Sequence, residues 1–576
     1  MSTRMEKTPR KSKDRPLTQP AASPAVPPVL WYQQPIWLAL AGSLLLWASF
    51  PPLNLWPIAW VAPLPWLALV RQEKLRGWKP YLQIWLAGFV HWLLMLQGIR
   101  LAHPALYGGW LALSAYVAAY LVLFFAISRV AVHQLRWPLL VAAPVVWVGI
   151  ELWRGHMISG FSSGMLAHTQ TSWLMLLQIA DLGGAYAVSF VMMLVAAVVV
   201  QELPGRWFSA NPENAPTNPW SHRILPIATA VGAVVLTLAY GWYRLQDPPA
   251  KDNRPPLQVA LIQGSLDTRF DQPQEERVRE TFGHYVPLTR QAVSAAQELD
   301  LVIWPESMFT LFEFRSLDDG ESTTAAKVPR EYRERLAELQ KPFQHTLDDA
   351  LLAMPGASFL FGTITLEYNL TKPQQFPDRN YNSALLANPD GQIVGRYYKM
   401  HAVMFGEYIP CADWFPILQR ITPLGPGMSV GDRPTLMQVK EYALAPNICF
   451  ESTVPHLVRQ QVIDLQRTKP VDVIVNVTND GWFKGSSILD LHFRGNIFRA
   501  IENRKPMVVA ANTGISAHID GNGRVLQRGP KRAPQPLLVR VSPDGRRSPY
   551  HWIGDYPAWL CAWLTWGLAI YGVWRR

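Results

Sequence analysis

The chain has 576 residues, enough for two or more domains, and its 53 Lys and Arg against 42 Asp and Glu leave a formal charge of +11. No zinc-finger spacing, glycine-rich phosphate loop or basic stripe interleaved with aromatics accompanies that charge, so nucleic acid is excluded as a partner. The three cysteines, Cys411, Cys449 and Cys561, are too few for a disulfide-stapled fold.

In chain order, the positive charge is first concentrated in Arg4, Lys7, Arg10, Lys11, Lys13 and Arg15, and a Pro/Ala-rich stretch follows from Pro16 to Pro28. Residues 1–34 therefore read as a disordered tail whose basic residues orient the first hydrophobic span and attract anionic lipid. Leu, Ala, Val and Trp then dominate. Apolar stretches at 36–50, 57–70, 81–99, 110–130, 138–153, 183–201 and 224–242 predict seven spans in a membrane domain over 35–245. An eighth, at 557–574, falls within a C-terminal segment 556–576. A helix needs roughly 20 residues to cross the hydrocarbon core, so the first, second and fifth are short. Segments this apolar have no polar face to solvate, which excludes core helices of a soluble protein. Phe50-Pro51-Pro52 lacks a small-residue cleavage pattern, so the first stretch reads as an anchor and not a signal peptide.

Basic residues fix the orientation. With the N-terminus inside, Arg71, Lys74, Arg76 and Lys79, then Arg129 and Arg136, then Arg206 and Arg223, and finally Arg575 and Arg576 all fall on the cytoplasmic side. The opposite short loops hold little beyond Arg100 and Arg154. Both termini are thus expected in the cytoplasm, with the large polar segment 255–548 on the periplasmic or extracellular face. Glu151 with Arg154, and Asp181 before Gly183-Gly184, read either as the lining of a lipid-entry cavity or as a structural pair and an interfacial helix cap.

From Leu257 strands alternate with helices. Leu257–Ile262 is followed by a polar helix over 274–298, and further strands are expected at Asp300–Trp304, Phe359–Thr365, Tyr381–Ala387, Gln392–Tyr398, Ala443–Ile448, Val471–Val477 and Pro506–Ala511. Asp390-Gly391 and Gly521-Asn522-Gly523 mark hairpin turns. This is an α/β layered domain with its site at strand ends. Trp304-Pro-Glu306, Tyr397-Tyr-Lys399 and Asn447-Ile-Cys449 each place a reactive group just after a strand: a carboxylate, an amine and a thiol, the parts of a cysteine acyl-transfer site.

Trp304-Pro-Glu306, Tyr398-Lys399 with Phe405-Gly406-Glu407-Tyr408, Ile448-Cys449-Phe450-Glu451 and Asn479-Asp480-Gly481-Trp482-Phe483 closely resemble the motif series of the nitrilase superfamily. That resemblance covers about half of the chain and implies an αββα sandwich with a Glu-Lys-Cys triad. Phe50-Pro51-Pro52, Ala180-Asp181-Leu182-Gly183-Gly184 and Ser189-Phe190 in turn resemble the spans of the apolipoprotein N-acyltransferase family, in which seven spans precede a periplasmic nitrilase-like domain and one follows. The chain departs from the family at Met404, where Pro is usual, at Phe450, where Tyr is usual, and at Ser162-Ser163, where Pro-Trp is common.

The resemblance implies a polytopic enzyme of the inner membrane that needs no cofactor. A phospholipid acyl donor, phosphatidylethanolamine by analogy, would acylate Cys449. The acyl chain would then pass to the α-amine of the diacylglyceryl-cysteine at the N-terminus of an apolipoprotein, the final step of lipoprotein maturation. Glu306 would be the general base and Lys399 the oxyanion stabiliser, with the backbone N–H of Phe450 as second donor. Glu407 is carried over as a second essential carboxylate holding Lys399 or sharing a proton with Glu306. Glu451 and Trp482 match positions near the pocket, where a buried salt bridge and an aromatic core residue are the rival roles. Tyr398, Asn382 and His401 are left outside the catalytic set. Two other functions stay open: a membrane-tethered amidase or nitrilase with water as acceptor, and a non-catalytic lipid-binding membrane protein.

Overall fold

The computed structural model describes residues 34–72, 75, 77–104, 106–158, 160–203, 220–250, 252–269, 272–317, 330–369, 377–404, 406–408 and 427–575. The expectations for the basic tail, Lys74, Arg76, Arg206, Phe405, Cys411 and Arg576 lie outside these residues. The first half is a helical bundle of α1 (Pro35–Ala48), α2 (Leu64–Arg71), α3 (Lys79–Met95), α4 (Leu106–Arg129), α5 (Leu139–His156), α6 (Leu174–Leu177), α7 (Ala180–Glu202) and α8 (Trp220–Gln246). Among the described residues, three helical stretches are long and apolar enough to cross a membrane: Leu106–Gln134, which extends α4 by a π-helical turn, Ala180–Glu202, and Arg223–Gln246 within α8.

The expected eight spans therefore resolve into three full-length ones and shorter apolar helices. The reasons are local. Pro57, Pro63 and Pro65 break the second stretch into a 3-10 turn, Trp56–Trp60, and the eight-residue α2. Helix α1 has only 14 residues and α3 ends at Met95 after 17. Helix α7 starts earlier than the apolar pattern suggested and is interrupted at Gly183 and Gly184, the latter at φ 65°, where Tyr550 packs so closely that glycine is needed for space as well as conformation.

The second half is two stacked sheets. One runs in the order β13 (Gln535–Val541), β1 (Leu257–Gln263), β2 (Leu301–Trp304), β4 (Ser358–Tyr368), β5 (Arg379–Ala387), β6 (Ile393–Tyr398), with β3 (Phe312–Ser316) also on β4. The other runs β12 (Val525–Arg528), β11 (Ala517–Ile519), β10 (Met507–Ala511), β9 (Val473–Thr478), β8 (Tyr442–Ile448), β7 (Met437–Val439). Strands β2, β8, β9 and β10 are buried at every position, as parallel strands covered on both faces must be, and this is why they read as unbroken apolar runs. Both expected hairpin turns are present, with Gly391 at φ 81° between β5 and β6 and Gly523 at φ 80° between β11 and β12.

Leu301, Leu360 and Tyr397 of the first sheet meet Leu444, Val473 and Val508 of the second in the inter-sheet core. Helices α9 (Gln274–Ala295) and α10 (Arg330–Leu351) cover the outer face of the first sheet with Tyr285, Phe343 and Leu347. The outer face of the second is covered by α11 (Pro455–Gln466) and α12 (Ile488–Asn503). Beyond α12 lies the bundle: Phe498 and Ile501 of α12 belong to the same apolar cluster as Leu67, Ala185 and Met192. The short α13 (Tyr550–Ile553) and α14 (Tyr556–Trp574) return the chain to the bundle, where α14 packs against α5.

Polar ties fix this junction. Asp181, fully buried on α7, accepts from Tyr240 Oη at 2.6 Å, Arg244 Nε at 2.8 Å and Arg504 Nε at 2.8 Å and Nη2 at 2.5 Å. Glu502 Oε1 accepts the Ala185 N–H at 3.0 Å, a donor freed by the break in α7, and also Arg499 Nη2 at 2.7 Å. Of the two roles open for Asp181, the structural one is what these contacts describe. Glu151 accepts the Leu166 N–H at 2.8 Å, and with Arg154, His91 and Ser43 it lines a cavity of about 50 Å³ inside the bundle.

Candidate active site

Four strand ends converge beside the inter-sheet core. Glu306 follows β2, Lys399 follows β6, Cys449 follows β8, and Asn479 and Asp480 follow β9. The chain turns sharply at two of them: Ser307 has φ 58° and Cys449 φ 56°. Such left-handed non-glycine residues are strained by about 1–3 kcal/mol and persist only where the surroundings hold them. At the first turn β4 passes so close that a Cβ on Gly362 would stand 2.5 Å from Glu306 Cα.

Glu306, Lys399 and Glu407 form one buried ionic group. Lys399 Nζ lies 2.8 Å from Glu407 Oε1 and 3.4 Å from Glu306 Oε1. Asn382 Nδ2, in the middle of β5, donates to the same two oxygens, at 2.7 Å to Glu306 and 2.8 Å to Glu407. The remaining oxygens are taken by backbone: Glu306 Oε2 by the Asn479 N–H and Glu407 Oε2 by the Val403 N–H, both at 2.8 Å. Burial works against the Lys399 ammonium, but Glu306 and Glu407 outweigh it and hold it protonated far above the ordinary lysine range. Burial likewise pushes the Glu407 carboxyl up, and Lys399 more than reverses this, leaving it below its usual value.

The thiol behaves differently. Burial raises Cys449 well above the ordinary cysteine value, Glu306 adds to the rise, and Lys399 offsets only part of it. The surroundings thus favour the protonated thiol at Cys449. Glu306 Oε2 has one acceptor position used by Asn479 and room for another.

Glu451, expected near the pocket with a buried salt bridge as the rival role, makes no salt bridge among the described residues. Fully buried, it accepts four hydrogen bonds: from Ile448 N–H at 2.7 Å, Tyr397 Oη at 2.9 Å, Met400 N–H at 2.6 Å and His401 N–H at 3.0 Å. It therefore staples the loop after Lys399 to the turn that carries Cys449. Burial, only partly opposed by those donors, lifts its carboxyl to about 7. Phe450 stacks on His401 with ring centroids 6.0 Å apart. Trp482 lies in the 3-10 turn Asp480–Phe483, half-buried beside the site.

Sequence reasoning left out Asn382, which bridges the two carboxylates, and missed His492 on α12, whose ring touches the Cys449 carbonyl and Asp480. Asn382 sits mid-strand, and His492 is 43 residues from Cys449 in sequence, so neither stands near a reactive residue along the chain. The only available signal was a polar residue inside an apolar strand or beside a buried helix face.

Comparison with known proteins gives the same two halves. Residues 42–198 match the family described as apolipoprotein N-acyltransferase N-terminal domain, and 258–548 match carbon-nitrogen hydrolase. The apolipoprotein N-acyltransferase of Rhodopirellula baltica is 32% identical over 574 residues, covering 92% of this chain and 97% of that protein. Its namesake in Geobacter metallireducens is 30% identical, covering 91% and 92%. Among solved structures, a mutant of the Nesterenkonia AN1 amidase from the nitrilase superfamily overlaps 55% of this chain and 98% of its own, at 15% identity and a TM-score of 0.33.

Proposed function

The chain belongs to the apolipoprotein N-acyltransferase family, and from that premise we propose a two-step acyl transfer through Cys449. The observation that carries this reading is the buried group of Glu306, Lys399 and Glu407 around a thiol whose surroundings favour its protonated form.

In the first step Cys449 Sγ attacks the ester carbonyl of a phospholipid while Glu306 takes the thiol proton. The new C–S bond leaves the former carbonyl oxygen as an oxyanion, which Lys399 and the Phe450 N–H stabilise. Collapse breaks the C–O ester bond, Glu306 returns the proton to the departing alcohol, and a lysophospholipid leaves. In the second step the free α-amine of an N-terminal diacylglyceryl-cysteine attacks the thioester. Glu306 takes a proton from the amine, the C–S bond breaks, the sulfur is reprotonated, and an amide results. Glu407 and Asn382 hold Lys399 and Glu306 at fixed separation, and Glu451 keeps the two loops in register. Trp482 borders the pocket.

Both substrates keep their acyl chains in the bilayer, so a site joined rigidly to a helical bundle needs only their head groups to reach it. In this reading the shorter apolar helices complete an eight-span domain with both termini in the cytoplasm and the sandwich on the periplasmic side of the inner membrane. Incubation of the full-length protein with phosphatidylethanolamine should add one hydroxylamine-labile acyl chain to its intact mass, and Cys449→Ala should not gain it. A folded wild type that gains no acyl chain, or one that turns over a small soluble amide with water, overturns the proposal.

A further inference from the structure

The carbonyl of Cys449 is held by an unusual set of side chains. His492 Nε2 lies 2.9 Å from it, Ser452 Oγ 3.2 Å and Asn476 Nδ2 3.4 Å. On its other side the His492 ring meets Asp480 Oδ1, 3.0 Å from Nδ1, and Asp480 is itself buried and touched by Thr478 Oγ1 at 3.4 Å. Gly514 leaves the room for Asp480, since any side chain there would collide with its carboxylate.

The proton count follows from these partners. Nε2 also lies 3.3 Å from Ser452 Oγ, but that hydroxyl donates to the Cys449 carbonyl, and a peptide carbonyl only accepts, so the hydrogen between Nε2 and the carbonyl comes from the ring. A carboxylate also only accepts, so Nδ1 must carry one too. His492 is then an imidazolium paired with Asp480. Its titration agrees in direction: burial lowers it, but Asp480 more than compensates and raises it above the usual histidine value.

Resting on the acyl-enzyme reading above, we infer that His492, kept charged by Asp480, polarises the Cys449–Phe450 peptide and so strengthens the Phe450 N–H as an oxyanion donor. The Cys449 C=O and the Phe450 N–H belong to one peptide unit. A charge-assisted hydrogen bond to the oxygen draws electron density from the nitrogen by amide resonance and makes its hydrogen a better donor. The same contact fixes the left-handed Cys449 backbone, and with it the direction in which that N–H points. His492 is therefore a positioning residue: it acts through the peptide and touches no substrate atom.

The prediction separates two reactions of one thiol. Acylation builds an oxyanion; alkylation by iodoacetamide does not. Asp480→Asn removes the charge that keeps His492 an imidazolium yet leaves a neutral Nε2–H facing the Cys449 carbonyl. In full-length protein given phosphatidylethanolamine, thioester formation should fall about tenfold or more, a fraction of what losing an oxyanion donor outright costs. Alkylation measured on the Cys449 peptide should not fall, since Asp480 is among the groups that hold the thiol protonated and loss of its charge favours the thiolate. The double variant Asp480→Asn with His492→Gln leaves no buried unpaired charge, guards against misfolding of the single one, and should match it because the two residues act as a unit. An equal fall in both reactions, or none in either, overturns this inference alone. A wild type that alkylates at Cys449 but forms no thioester overturns the acyl-enzyme reading and this inference with it.

Discussion

Two of the buried knots of charge among the described residues are built to opposite ends. At the junction between bundle and sandwich, one carboxylate, Asp181, is gripped by two guanidiniums and a phenol, so cations are in excess and both its oxygens are occupied. At the site, one ammonium, Lys399, serves two carboxylates, so anions are in excess and Glu306 retains an open lone pair next to a protonated thiol. A satisfied knot has no reason to move a proton. An unsatisfied one does, and it is stable only because Asn382 and two backbone N–H groups share the load.

Removing one atom's worth of chemistry from each knot tests that contrast. Glu306→Gln deletes the base and should slow Cys449 acylation by about 10²–10⁴-fold, with melting temperature in detergent nearly unchanged. Asp181→Asn does the reverse. It leaves buried guanidiniums without their carboxylate and should cost about 3–5 kcal/mol of stability, seen as a drop in melting temperature, while thioester formation per folded molecule holds. A variant at Asp181 that lost chemistry but not stability would break the comparison.

Glu451 supplies a pH test of the same idea, because it is buried with no salt bridge among the described residues. Its carboxyl is raised from 4.5 to about 7 in the fold, so the folded state binds the proton more tightly than the unfolded chain. Its contribution is complete below the unfolded value and is lost as pH rises through about 7, a decline on the order of 3 kcal/mol. Melting scans between pH 4 and 8 should show this decline in the wild type, and Glu451→Gln should remove that share of it. The smallest expected effect is at Asn382→Ala. The two carboxylates then share only Lys399, and acylation should fall about tenfold, or roughly 1.4 kcal/mol.

What could be read from the sequence was whatever the chain states locally. Glu306 and Cys449 each follow a fully buried strand, and the burial that makes such a run visible is also what places the residue after it at a sheet end, whereas Lys399 follows the half-buried, alternating strand Ile393–Tyr398. Glu407 came from the motif around it. Asn382 and His492 were not legible because their roles exist only across strands and layers: the bond from Asn382 to Glu306 spans 76 residues. Of the eight expected spans, three are full-length helices among the described residues, for a related reason. Mean hydropathy does not register that Pro57, Pro63 and Pro65 stop a helix, or that an apolar stretch can lie short and buried inside a bundle.

The helix Ile488–Asn503 has every side chain from Leu491 onward buried, between a sheet on one side and the bundle on the other. A domain joined to its anchor by an exposed linker can be cut free as a soluble fragment, since few contacts cross the cut. Here the cut would cross a shared interior and leave Phe498, Ile501, Arg504 and Glu502 facing water. The catalytic half is thus not cargo on an anchor: a soluble truncation of it has no surface where its neighbour used to be.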